Sequence, residues 1–198
     1  FGNGAGYDYS TFHEVHTYVI AALMQDPTLD VNQLVKRYCN FYYGQSGQMI
    51  ADYILSLEKQ MQTKNIKLDL YNGVKKMTGT YLSKADFFDF YMALDNSRKK
   101  GNEEAKKRLT QLYTGLTYSA MQIQLISKFD ENFGFASVSN TTIKVNENFK
   151  NRYLFLLEQF KLNDIFTTRE RAGEVSNYLK TVKSDYIEAK RKPNLLNS

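Results

Sequence analysis

The sequence predicts an all-α protein, an antiparallel bundle or array of about seven helices with one short hairpin. Three observations carry this. The 198 residues include only two prolines, and strong helix formers fill most of the chain. Apolar residues recur at three- and four-residue spacing through segment after segment. Cap pairs stand ahead of several of those segments, and the loops between them are short, as between antiparallel neighbours.

Residues 1–9 read as a glycine-rich entry loop. Its Gly2, Gly4 and Gly6 do not make a nucleotide loop. The dinucleotide fingerprint needs a further glycine where Tyr7 stands and a strand before it, and the Walker lysine is absent. Thr11 and Glu14 form a capping-box pattern for the first helix, whose face is Phe12, Val15, Val19, Ala22 and Leu23 and which stops before Pro27. Asp30 caps the second. Its stripe is Val31, Leu34, Val35, Tyr38, Phe41 and Tyr42, with Tyr43 off the stripe, and Gly44 suits a left-handed helix end. Phe41 and Tyr42 are therefore expected to extend the core.

Ser46 opens a third helix with Ile50, Tyr53, Ile54, Leu57 and Met61 inward. Residues 65–82 read as an extended connection. Ser83 and Asp86 box the start of an aromatic helix carrying Phe87, Phe88, Tyr91, Met92 and Leu94. Asn102 opens a long helix with Leu109, Leu112, Leu116, Ile123 and Ile126, and Gly115 within it marks a place for a close helix contact. Residues 130–146 form a loop or short hairpin, and a sixth helix runs from about Glu147 to Lys161. Thr167 and Glu170 box a last helix with Ala172, Val175, Leu179, Val182 and Tyr186, ended by Pro193. The organisation is then an entry loop (1–9), N-terminal helices (10–64), a connection (65–82) and a C-terminal helical bundle (83–198).

Apolar residues at 42% and charged residues at 24% suit a chain that buries a real core. Aromatics are abundant, with 15 Tyr and 13 Phe but no Trp. The net charge of +5 is uneven: residues 1–60 hold three basic and six acidic side chains, the remainder 23 and 15. The basic residues interleave with acidic ones, as on solvated helix faces, so nucleic acid is not the expected partner. Cys39 is the only cysteine, which rules out an intrachain disulfide and reads as a buried structural thiol. No stretch approaches the roughly 20 apolar residues of a membrane span. The chain opens at Phe1 without an initiator Met, which reads as a piece of something larger.

The polar constellations favour structure over chemistry. His13 and His16 share a helix face, but zincins space their histidines by four and a catalytic zinc needs a third ligand, so neither a metal nor any other cofactor is expected. His13 remains a candidate contact to a substrate. Asp86, Asp89 and Asp95 lie on one helix, whereas glycosidase carboxylates face each other across a cleft, so caps and solvent-facing charges explain them. The basic run of residues 98–108 lacks interleaved aromatics to stack bases and reads as a solvated helix junction. No Gly-x-Ser-x-Gly elbow and no Cys–His pair is present, so no catalytic residue is assigned.

Tyr9-Ser10-Thr11-Phe12, Tyr18-Val19, Gln25-Asp26-Pro27, Leu29-Asp30-Val31 and Tyr42-Tyr43-Gly44 keep a spacing over residues 6–57 that resembles a bacterial family. That family comprises glycoside-hydrolase-like proteins carrying a domain of unknown function, similar in layout to α-glucuronidases: a (β/α)8 barrel followed by a helical region. The chain departs from it in having Gln25 before the Asp-Pro, and in lacking an Arg or Lys near His16. The resemblance implies a C-terminal helical region that is not catalytic alone. An upstream barrel of the same protein would be its main partner, with carbohydrate and a second copy of the chain as further partners. It implies a periplasmic or extracellular location, and it places Tyr7, Asp8 and His13 beside a sugar cleft, because loops after barrel strands build such sites. The other reading is a free-standing helical module that binds proteins.

Overall fold

A computed structural model describes residues 11–67, 73–139 and 142–163. The fold is all-α with one short hairpin. The elements are α1 (His13–Gln25), α2 (Val31–Tyr43), α3 (Gly47–Thr63), α4 (Val74–Thr78), α5 (Lys84–Lys100), α6 (Glu103–Ser127), β1 (Ala136–Ser139), β2 (Thr142–Val145) and α7 (Glu147–Leu162). No described helix is long and apolar enough to cross a membrane. The expected entry loop and last helix lie outside the described residues. The chain divides into two compact units, 1–119 and 120–198, with the α6 residues up to Ser119 in the first and those from Ala120 in the second.

Side-chain caps set three helix starts in the first unit, those of α2, α5 and α6. The Asp30 carboxylate accepts from the Gln33 N–H at 3.0 Å, Ser83 Oγ from the Asp86 N–H at 3.3 Å, and Asn102 Oδ1 from the Ala105 N–H at 2.9 Å. The first helix differs from expectation. Its N-cap is Phe12, in the left-handed region at φ 63°, and no side chain caps it. Phe12 packs its ring on Tyr53 and Phe90, with centroids 6.3 and 6.4 Å apart, so aromatic packing rather than a capping box fixes the entry.

The turn between α2 and α3 decides which side of α2 faces inward. Gly44 takes a positive φ of 57°, as expected, but with ψ −127° it is not the left-handed helical residue read from the sequence, and a single 3₁₀ turn over Gly44–Ser46 leads into α3. Gly47 then lies against the α2 backbone: a Cβ there would meet Cys39 O at 2.3 Å and Asn40 Cα at 2.5 Å. With Cys39 turned toward α3, the buried face is Leu34, Val35, Cys39 and Tyr43. This corrects the stripe read from the sequence. Phe41 is 82% exposed and Tyr43 only 2% exposed, and Val31 also faces solvent. Two residues along a helix rotate the side chain by about 200°, so the two aromatics cannot share the core.

Aromatics and leucines make most of the remaining core of this unit. Tyr53 of α3 stacks on Phe90 of α5 with centroids 3.9 Å apart, and Tyr91 of α5 stacks on Tyr113 of α6 at 4.5 Å. Phe87 and Leu94 are buried as expected, but Phe90 takes the inward position that Met92 was expected to share, and Met92 is exposed. The Tyr91 and Thr117 hydroxyls lie 3.0 Å apart, so the buried phenol keeps a hydrogen-bond partner. The connection over residues 65–82 is not wholly extended. Val74–Thr78 form the short helix α4, and the Met77 carbonyl accepts from the Tyr81 and Leu82 N–H groups as it ends.

In the second unit the hairpin is antiparallel, with Ala136 opposite Val145 and Val138 opposite Ile143. Phe135 packs on Phe129 and on the α7 residue Phe149, with centroids 5.8 and 5.7 Å apart. The buried Gln124 amide links three segments. Its oxygen accepts from Arg152 at 2.8 Å, and its Nε2 donates to the Gly134 carbonyl at 3.4 Å, which Asn146 also reaches at 2.9 Å. These hydrogen bonds satisfy the buried amide on both its oxygen and its nitrogen.

Candidate functional site

The densest polar cluster of the first unit is a tyrosine stack. Tyr38 and Tyr42 stand one turn apart on α2 and stack at 5.2 Å, the spacing that brings residues i and i+4 together. Tyr18 of α1 lies 5.0 Å from Tyr38, and Tyr43 meets Tyr42 edge-on at 5.0 Å. The Arg108 guanidinium of α6 sits 4.4 Å over the Tyr42 ring, donates to the Tyr42 carbonyl at 2.9 Å and pairs with Glu104. It thereby satisfies one of the carbonyls left open at the end of α2.

Burial, with the nearby Tyr42 and Glu14, pushes the Tyr38 phenol up to about 12. Burial and Glu14 also raise Tyr42, with Arg108 pulling the other way. These phenols remain neutral hydrogen-bonding groups at physiological pH and do not act as bases. The rings also engage one another and Arg108. A sugar-binding platform presents an aromatic face to solvent, whereas here protein groups take up the faces of Tyr38 and Tyr42. Chemically the stack is a clamp joining α1, α2 and α6.

Of the residues singled out by sequence as a candidate site, only His13 lies among the described residues. Tyr7 and Asp8 lie outside the described residues. His13 is the first residue of α1, with Nδ1 3.4 Å from a Glu14 carboxylate oxygen, and His16 is exposed one turn on. Among the described residues no group of three or more His, Cys, Asp or Glu side chains could hold a metal. Asp86 and Asp89 are exposed. Asp95, expected to face solvent, is instead largely buried: Lys99 donates to it at 2.5 Å and Arg98 approaches at 2.6 Å. Burial would raise that carboxyl, but Lys99 and Arg98 outweigh it and hold the group below its ordinary value. Arg98 also lies 4.4 Å over the Tyr113 ring, and both arginines at the ends of the 98–108 run are thus spent on internal contacts.

The described surface has one uneven feature. Of the nine large apolar side chains that stand exposed, five lie between residues 20 and 41: Ile20, Met24, Leu29, Val31 and Phe41. Leu29 lies in the α1–α2 link, which runs from Asp26 to Asp30, Met24 and Val31 flank it, Ile20 stands one turn before Met24 on α1, and Phe41 is near the far end of α2. Met24 is 76% exposed. Exposed large apolar side chains concentrated on one helical pair make that pair the candidate contact surface. No family model, curated protein or solved structure matches the chain.

Proposed function

We propose that this chain is a helical accessory region of a glycoside-hydrolase-like, carbohydrate-active protein, silent in catalysis by itself, whose α1–α2 hairpin packs against an upstream barrel of the same protein. The observation that carries the proposal is the exposure of five large apolar side chains on that hairpin, Ile20, Met24, Leu29, Val31 and Phe41. It falls in the stretch whose motifs resemble the family, where the hairpin would follow the last barrel strand. The tyrosine clamp supports a structural role, since it stiffens the hairpin and leaves Phe41 outward. In this reading the intact protein works in the periplasm or outside the cell, where polymeric sugars are met. The second reading, a free-standing module that binds another protein, draws on the same exposed side chains, and only the location of the partner separates the two.

The test begins with the reading frame upstream of Phe1, which should encode a barrel of roughly 250 residues. That upstream region, expressed separately, should bind the 198-residue chain, and the double variant Met24→Asp, Phe41→Asp should lose binding while keeping its helical content. An upstream frame without a barrel, binding indifferent to the double variant, or hydrolysis of aryl glycosides by this chain alone would each overturn the proposal. Capture of a partner encoded elsewhere, through the same side chains, would establish the module reading instead.

A further inference from the structure

We draw no further inference here: the strongest candidate, the outward face of α2 where Phe41 stands one turn beyond Arg37, belongs to the surface already described, and nothing in the structure shows what covers it.

Discussion

Gly47→Ala is the sharpest probe of how the α2–α3 hairpin is built. Helix propensity alone favours the substitution by about 1 kcal/mol. Packing opposes it: the added carbon would lie 2.3 Å from Cys39 O, 2.5 Å from Asn40 Cα and 2.6 Å from Asn40 N, where ordinary contact begins at 3.4 Å. All three neighbours are backbone atoms, so no side chain can swing away. The helices must part by about 1 Å, which loosens Leu34, Val35, Cys39, Tyr43, Ile50 and Ala51 together, all of them buried. Overpacking of a good core costs about 1–3 kcal/mol and sometimes more. With three backbone clashes the upper end applies, and after the propensity gain the net loss is about 2 kcal/mol. Urea unfolding followed by circular dichroism should show the midpoint falling by about 1 M with an unchanged slope. Gly44→Ala separates crowding from strain. Nothing lies within 4 Å of that Cβ position, so only the backbone conformation, φ 57° with ψ −127°, opposes it, at about 1–3 kcal/mol. A Gly47→Ala protein as stable as the parent would refute the close approach of α2 and α3.

Tyr43→Ala should cost about 3–5 kcal/mol and Phe41→Ala less than about 0.5 kcal/mol in the same urea assay, and the reverse order would mean that the face of α2 is wrongly assigned. Burial raises the phenols of Tyr38, Tyr43, Tyr53 and Tyr113 above their ordinary value of 10.0, so the unfolded chain releases those protons first. Stability is therefore full below about pH 10 and drains away as pH climbs toward the folded values, and tyrosinate absorbance should rise in step with the loss of helical signal. Titration of all fifteen tyrosines near pH 10 with the helices intact would contradict that packing. Cys39 is fully buried and its thiol is pushed up to about 12 by burial, so Ellman's reagent at mildly alkaline pH should leave it unmodified until denaturant is added. A full equivalent of fast reaction in the native protein would show that the α2–α3 contact opens readily.

The features legible in the sequence are those whose causes are local. Asp30, Ser83 and Asn102 cap helices because each side chain reaches an N–H only three residues ahead. Residues 130–146 combine turn formers with β-branched residues, and the hairpin forms there. The face of α2 was not legible, and the reason is compositional. Val31, Leu34, Val35, Tyr38, Cys39, Phe41, Tyr42 and Tyr43 spread over about 200° of the helix circumference, wider than a core-facing stripe, so periodicity does not fix the centre of the stripe. The contact at Gly47 fixes it, and that contact exists only once the hairpin has closed. Helix α4, five residues long, is too short to show a period. At the candidate site, Tyr38 and Tyr42 are visible as an i, i+4 pair, but the Arg108 that covers Tyr42 lies 66 residues away and follows no local pattern.

The two sides of α2 bear on function differently. Inward, Tyr43 and Cys39 close the hairpin, while Tyr38, Tyr42 and Arg108 tie it to α1 and α6. Those contacts explain the aromatics at 38, 42 and 43 as fold determinants, so their presence says little about a ligand. Phe41 is not explained this way. At 82% exposure it gives the isolated fold almost no burial energy, and a polar residue at this position would serve the helix as well. An aromatic ring kept in water gains its burial energy only when a surface covers it. Ile20, Met24, Leu29 and Val31 repeat the same imbalance at the other end of the hairpin. The contacts within the fold account for the side chains beneath and not for these exposed ones. For that reason the Met24→Asp, Phe41→Asp variant discriminates: it should leave the folding midpoint nearly unchanged while removing the partner.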